Sequence, residues 1–121
     1  AILLNQKELS VDFDARLVAA KQAAIKYHAV VLLKGHVDIV TDGASTITNN
    51  SGVPFMTKGG FGDTLSGILG ALLARGIGPF EAAHAAAYIN GRAGEMASHE
   101  YGEGVIASDI YDFIPRVIKE K

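Results

Sequence analysis

The sequence contains no cysteine and no tryptophan, and it has only three prolines in 121 residues. Without cysteine, disulfide bonds, zinc–thiolate sites and cysteine nucleophiles are excluded. Positive charge is also sparse, since 11 Lys and Arg residues stand against 13 Asp and Glu residues, and this balance argues against a nucleic-acid partner. No signal peptide, lipidation motif or bilayer-length apolar run is visible, so the sequence predicts a cytoplasmic protein without a membrane partner.

Hydrophobic residues are abundant and make up 49% of the chain, which is enough for one domain with a sizeable core. The run Ala1–Leu4 is apolar, as buried strands often are, and no initiator methionine precedes it. We therefore expect residues 1–121 to be a single domain that forms the C-terminal part of a longer protein.

Strands and helices alternate in the first half of the predicted order, and helices follow in the second. Apolar β-type runs and the Asp42-Gly43 turn signal predict strands at 1–4, 29–33, 37–41 and 45–48. Periodicity predicts helices at 15–28, 62–75 and 79–99. A last helix is predicted after a cap at Ser108 or Asp109, with Pro115 kinking or ending it. The candidate caps of the first helix are Ser10, Asp12 and Asp14. This βαβββααα order is typical of layered α/β folds.

The most informative stretch lies at 58–67 and reads Lys-Gly-Gly-Phe-Gly-Asp-Thr-Leu-Ser-Gly, directly at the start of a predicted helix. Glycines permit positive φ and a close approach of backbone N–H groups to a ligand, and the helix start adds the positive end of its dipole. The amides of Gly60, Phe61 and Gly62 are therefore a candidate site for phosphate or an oxyanion. Asp63 is the candidate proton acceptor. The alternative is a plain glycine turn, in which Asp63 is an ordinary acidic residue of a first helical turn.

Polar residues also follow the predicted strands, at the end where parallel α/β sheets bind ligands. Lys34 follows the buried strand at 29–33 and is placed to bind a phosphate, with His36 beside it as a candidate for lining a nucleotide pocket. Lys58 precedes the glycines and is placed to assist. Glu8 follows the first strand and is a candidate for holding Mg²⁺ through water. For each of these residues, an ordinary solvated side chain is the alternative that the sequence leaves open.

These segments resemble a known family. The stretch at 58–67 is similar to the Gly-Gly-x-Gly-Asp-x-Leu-[Ala/Ser]-Gly signature of ADP/ATP-dependent NAD(P)H-hydrate dehydratases, which have a ribokinase-like fold. Val30–Gly35 is similar to that family's Val-Val-Leu-Lys-Gly strand end, and Asn49–Gly52 is similar to its Asn-Thr-Thr-Gly loop. The resemblance implies the C-terminal, nucleotide-binding part of a ribokinase-like three-layer α/β/α sandwich.

The resemblance also implies a reaction and a set of roles. Phosphate passes from ADP or ATP to the hydroxyl group of hydrated NAD(P)H and then leaves, which regenerates NAD(P)H in a metabolite repair. Mg²⁺ accompanies the nucleotide. Asp63 would be the catalytic base, and Gly60 and Gly62 would form the anion hole. The nucleotide would be bound by Lys34, Gly35, His36, Val37 and Asp38, together with Lys58, Gly59 and Gly62.

The sequence departs from the family pattern at two places. Val53 stands before Pro54 where the family usually has Asn, and Leu4–Glu8 replaces a Pro-His-Pro-Gly-Glu motif. The replacement is closer to the Asn-x-x-Glu pattern of ribokinase-like kinases, so a small-molecule kinase acting on a vitamin precursor or a sugar is one alternative. A nucleotide-binding fragment without catalysis is another. Because an exposed sheet edge needs covering, we also expect a homo-oligomer.

Overall fold

The computed structural model describes residues 2–4, 12–52 and 60–120, with residues 2–4 described as backbone only. The strands are β1 (Ile2–Leu4), β2 (Val31–Leu33), β3 (Asp38–Thr41) and β4 (Thr46–Asn49). The α-helices are α1 (Phe13–Tyr27), α2 (Phe61–Ala74), α3 (Pro79–Tyr101) and α4 (Ile114–Lys119). Short 3-10 helices occupy Gly102–Gly104 and Ala107–Ile110. This order confirms the predicted succession of strands and helices.

The strands form one sheet in the order β1-β2-β3-β4. The first pair is parallel, and the other two pairs are antiparallel. Parallel neighbours need a long crossover, and α1 supplies it between β1 and β2. The predicted Asp42-Gly43 hairpin joins β3 to β4, with Gly43 at φ +98°. Hydrogen bonds from the backbone N–H groups of Ser45 and Ala44 lower the pKa of the exposed Asp42 carboxyl, so the turn is best ordered when Asp42 is ionised.

Helices cover both faces of the sheet. Successive residues of a strand point to opposite faces, so Val31 and Leu33 pack against α1, whereas Leu32 packs against α2 and α3. The α1 face contains Ala20, Ala24, Val31, Leu33 and Ile39. The opposite face contains Leu32, Val40, Leu65, Ala83, Ala86 and Ala87. This helix–sheet–helix layering agrees with the predicted α/β/α sandwich.

Helix α3 lies close to its neighbours because its inner side chains are small. Six of its alanines are fully buried: Ala82, Ala83, Ala86, Ala87, Ala93 and Ala97. Its C-terminal half packs with Phe61 of α2 and with Ile110, Phe113 and Val117 near the chain's end. No α-helix in the described ranges is both long and apolar enough to cross a membrane.

The helix ends match the sequence prediction at the first helix and differ at the last. Asp12 caps α1 and accepts hydrogen bonds from the N–H groups of Asp14 and Ala15. The prediction for the last helix was wrong, since Asp109 lies inside a 3-10 turn and Pro115 lies in the first turn of α4. Proline is tolerated in this first turn because a backbone N–H at that position would have no helical partner to lose. Pro115 therefore starts a helix that it was expected to kink or end.

Candidate functional site

The turn at residues 60–63, called the glycine turn below, leads into α2. Gly60 is the N-cap, with φ +96° and no side-chain capping bond. The first backbone hydrogen bond of the helix runs from Thr64 N–H to the Gly60 carbonyl oxygen at 3.0 Å. The N–H groups of Phe61, Gly62 and Asp63 therefore have no partner within the helix. Such a helix start binds anions through its amides and its dipole.

Two glycines shape this turn in different ways. Gly60 has a left-handed backbone, and a Cβ atom there would lie 2.8 Å from the Cβ of Ala107. Glycine is therefore required at this position both by backbone conformation and by close packing. At Gly62, none of the described residues lies within 4 Å of a Cβ position, so this part of the chain leaves room for a ligand there. The predicted positive φ is confirmed at Gly60.

Asp63 lies in the first turn of α2 with an exposed side chain. Within the described part of the chain, its carboxylate has no hydrogen-bond or ion-pair partner. Because its side chain is exposed, the carboxylate is accessible to a ligand or a proton. Its role as a base stays a prediction.

A buried side chain of α3 holds the glycine turn in place. Asn90 is 1% exposed, and its Nδ2 donates to the Phe61 carbonyl oxygen at 3.4 Å. The Thr64 hydroxyl lies 2.8 Å from the same carbonyl oxygen and 2.7 Å from Asn90 Oδ1. Asn90 was not among the predicted site residues, although a polar residue in line with the buried alanines of α3 is a signal of an interior partner.

The second predicted segment, Lys34–Asp38, joins β2 to β3 and is called the lysine turn below. Asp38 is 1% exposed, and its carboxylate accepts hydrogen bonds from Lys34 Nζ at 3.1 Å and from Gly35 N–H at 3.0 Å. Asn49 Nδ2 donates to it at 3.1 Å. The hydrogen bonds to the Asp38 side chain therefore hold the turn in its shape. The Lys34 side chain remains 37% exposed, and His36 is exposed at the tip of the turn.

Arg16 of α1 supports the lysine turn from beneath. It is 5% exposed, and its Nη2 donates to the carbonyl oxygens of Val37 at 3.0 Å and Lys34 at 3.5 Å. Arg16 was not among the predicted site residues either. Arg16 shares the inner side of α1 with Ala20 and Ala24, and a charged residue in such a line indicates a buried polar target.

The segment after β4 connects the lysine turn to α3. Ser51 Oγ lies 3.1 Å from Asn49 Oδ1 and 3.2 Å from the Tyr88 carbonyl oxygen. One residue further on, Gly52 N–H donates to Glu95 Oε1 at 2.8 Å. This segment therefore touches both the partner of Asp38 and one side of α3.

The predicted metal ligand and two predicted nucleotide-binding residues precede the described parts of the chain that contain the two turns. Glu8, Lys58 and Gly59 lie outside the described residues, so their predicted roles stay predictions. Among residues 12–52 and 60–120, no group of three His, Cys, Asp or Glu side chains could hold a metal ion. Mg²⁺ usually needs only one or two carboxylates when it arrives with a nucleotide's phosphates, so Asp63 and the open helix start do not conflict with such a complex.

A separate open cavity of about 630 Å³ lies between α3 and α4 and has mixed charge. Arg92 on its wall is paired with Glu95 and Glu120, and Arg116 stacks on Phe113. Neither the glycine turn nor the lysine turn lines it among the described residues. Its balanced charges give no preference for a phosphate.

Comparison with known proteins places both turns in one family. The family model described as NAD(P)H-hydrate dehydratase matches residues 5–116. The bifunctional NAD(P)H-hydrate repair enzyme Nnr of Hyperthermus butylicus is 47% identical over 107 residues, which are 88% of this chain and 20% of that protein. The ADP-dependent (S)-NAD(P)H-hydrate dehydratase of Cenarchaeum symbiosum is 44% identical over 108 residues, which are 89% of this chain and 38% of that protein.

A solved structure agrees with these relatives. The ADP/ATP-dependent NAD(P)H-hydrate dehydratase from Bacillus subtilis, co-crystallized with ATP/Mg²⁺, superposes with a TM-score of 0.83 and 26% identity. The match covers 98% of this chain and 46% of that one. The chain thus spans less than half the length of these relatives. Because the family model matches nearly the whole sequence, including the glycine turn and the lysine turn, the chain belongs to the NAD(P)H-hydrate dehydratase family.

Proposed function

We propose that this chain is the nucleotide-binding part of an ADP- or ATP-dependent NAD(P)H-hydrate dehydratase, which repairs hydrated NAD(P)H. The named relatives support the reaction. The observation that carries the proposal is the glycine turn. Its amides of Phe61 and Gly62 have no partner within α2, and the exposed carboxylate of Asp63 has none among the described residues. Because the chain spans only part of its relatives, the activity is proposed for the intact protein.

The proposed chemistry has two steps. The hydroxyl oxygen of the hydrate attacks the terminal phosphorus of the nucleotide, the bond from phosphorus to the leaving nucleotide breaks, and the hydroxyl proton passes to Asp63. The carbon–oxygen bond then breaks, phosphate leaves with the bonding electrons, and loss of a ring proton restores the double bond. The amides of the glycine turn stabilise the negative charge on the transferring oxygens.

The remaining roles follow from the positions of the other residues. The lysine turn, with Lys34, Gly35, His36, Val37 and Asp38, is proposed to hold the nucleotide, together with Lys58, Gly59 and Gly62. Asp38 contributes to nucleotide binding by holding the shape of the turn, because its carboxylate already accepts hydrogen bonds from three donors. Mg²⁺ neutralises phosphate charge when bound, and Glu8 is proposed to hold it through water.

The proposal extends to the intact protein's surroundings. It places the protein in the cytoplasm, with hydrated NAD(P)H as its small-molecule substrate. It also includes a homo-oligomer, because β4 pairs only with β3 among the described strands and an open sheet edge favours association.

The test of the catalytic base is Asp63→Asn in the intact protein, which keeps the shape of the side chain and removes its basicity. Turnover should fall by about 100-fold or more, the usual contribution of a positioned base, while the nucleotide Kd measured by calorimetry should change by less than about threefold. Turnover is followed by the return of NAD(P)H absorbance.

The matched control is Asp14→Asn, which changes an exposed acid in the first turn of another helix, α1. It should leave turnover unchanged. Full turnover by Asp63→Asn would refute the role of Asp63. Two results with the unaltered intact protein would favour the alternatives. Accumulation of a phosphorylated product without release of NAD(P)H would favour the kinase, and nucleotide binding without turnover would favour the non-catalytic module.

A further inference from the structure

We infer that Asn90 and Gly91 of α3 are positioning residues that fix the glycine turn and the lysine turn relative to each other. The inference rests on the proposed function and adds two residues to it. Neither side chain is placed among the reacting groups. The two residues instead keep Asp63, the proposed proton acceptor of the glycine turn, at a fixed distance from the nucleotide that is proposed to bind at the lysine turn.

The first half of the connection runs from Asn90 to the glycine turn. Asn90 binds the Phe61 carbonyl oxygen and the Thr64 hydroxyl, and these residues lie on either side of Gly62 and Asp63. All of these contacts are buried. A buried polar group that loses its partner is costly, so the first turn of α2 has one favoured position against α3.

The second half runs from Gly91, the next residue along, to the segment after β4. A Cβ atom at Gly91 would lie 2.6 Å from the Ser51 carbonyl oxygen, and the Ser51 Oγ would be closer still. Backbone therefore packs on backbone at this point, because Gly91 has no side chain. Real Cβ contacts do not reach such distances, so any larger residue at position 91 must push the Ser51 segment away.

The Ser51 segment carries the connection on to the lysine turn. Ser51 Oγ contacts Asn49 Oδ1, and Asn49 Nδ2 donates to Asp38. Asp38 in turn orders Lys34 and Gly35. Two adjacent residues of one rigid helix thus reach both turns. Since misplacement of reacting groups by about 1 Å can cost about 100-fold in rate, this spacing matters for turnover.

The first pair of variants tests the Asn90 contact through its partner. Thr64→Val removes the hydroxyl and keeps the shape, whereas Thr64→Ser keeps the hydroxyl. In the intact protein, kcat should fall by about tenfold in Thr64→Val and stay within about threefold in Thr64→Ser, with nucleotide Kd little changed in both. Asn90→Ala should lower kcat at least as much as Thr64→Val, because it also removes the bond to the Phe61 carbonyl oxygen. The loss in the double variant should be smaller than the product of the two single losses, because the contact between Thr64 and Asn90 is common to both changes.

The second pair tests the close approach at Gly91. Gly91→Ala should weaken nucleotide binding by about tenfold, because it displaces the segment that supports the lysine turn. Gly67→Ala makes the same substitution in α2, where no described residue lies within 4 Å of the new atom, and should leave nucleotide Kd unchanged. A loss of nucleotide affinity in both alanine variants would contradict the inference.

Hydrogen exchange separates this inference from the proposed function. Amide exchange at residues 64–66 should be faster in Asn90→Ala, and exchange at residues 34–38 should be faster in Gly91→Ala, whether or not the protein turns over substrate. Unaltered exchange in both variants would overturn the inference. Altered exchange with kcat and Kd unchanged in an active protein would overturn it too. An inactive, nucleotide-free parent protein would instead refute the proposed function, and exchange alone would then decide whether the two turns are coupled.

Discussion

Arg16 shows how one side chain can order a turn that belongs to another element. Its guanidinium group is buried beneath β2 and β3 and donates to the carbonyl oxygens of Val37 and Lys34. A planar group with several donors can reach two carbonyl oxygens at once, which a lysine cannot do in the same way. The nucleotide-binding segment proposed above therefore depends on a buried residue of another element, α1.

Arg16→Met is the test of this support, since it keeps a long apolar stem and removes the donors. We expect the free energy of unfolding to fall by about 1.5–3 kcal/mol, the cost of losing hydrogen bonds from a charged group to partly buried carbonyl oxygens. Urea unfolding of the intact protein measures the change.

Its control is Arg75→Met, at an exposed position after α2, which should change stability by less than about 0.5 kcal/mol. An equal loss of unfolding free energy in the two variants would show that the buried contacts of Arg16 stabilise the protein no more than an exposed arginine does.

The start of α2 is the element on which the site depends. Its N-cap supplies no side chain, because Gly60 takes a left-handed conformation against Ala107. A serine or aspartate cap would occupy one of the free amides with its own oxygen. The amides of Phe61 and Gly62 instead have no partner within the helix, which is the arrangement that an anion site needs.

Neighbouring glycines of this helix start should respond oppositely to the same change. Gly60→Ala should lower the free energy of unfolding by about 1–2 kcal/mol for the left-handed alanine alone, and the contact with Ala107 adds to this loss. Gly62→Ala should be neutral or stabilising by up to about 1 kcal/mol, since alanine favours helices. Thermal or urea unfolding gives both values. A larger loss at position 62 than at position 60 would contradict the described turn.

At the scale of the whole molecule, local patterns predicted the elements well. Three patterns made up of residues close together in sequence were enough to predict their elements. They are the apolar run before Lys34, the Asp42-Gly43 turn and the periodicity after Gly62. The layered α/β class follows from their order. Pro115 was misread because proline can either start or interrupt a helix, and the choice depends on where the preceding 3-10 turn stops.

Local sequence patterns could not identify the buried contacts that support the site. Arg16 and Val37 are 21 residues apart, and Asn90 and Phe61 are 29 apart. No periodicity links residues at these separations, because tertiary packing brings them together. The alignment of each polar residue with buried alanines gave a clue that it faces the interior, but not which group it meets there.

Self-association is the property that belongs to the molecule as a whole. Mass photometry or sedimentation of the intact protein should find at least a dimer, because the edge of β4 has no strand beside it in the described sheet and unpaired strand edges favour pairing. The measurement should be repeated on dilution, since a real assembly dissociates with a concentration dependence. A monomer at all concentrations would contradict this expectation.

The buried carboxylate of Asp38 has a consequence for anyone who alters the lysine beside it. Truncating Lys34 would take away the only cation facing that carboxylate among the hydrogen bonds described, and an uncompensated anion would be left in the interior. If such a variant bound nucleotide weakly, the loss of a ligand contact could not be distinguished from a destabilised fold. Arginine at position 34 keeps the positive charge, so it separates recognition from folding more cleanly than alanine does.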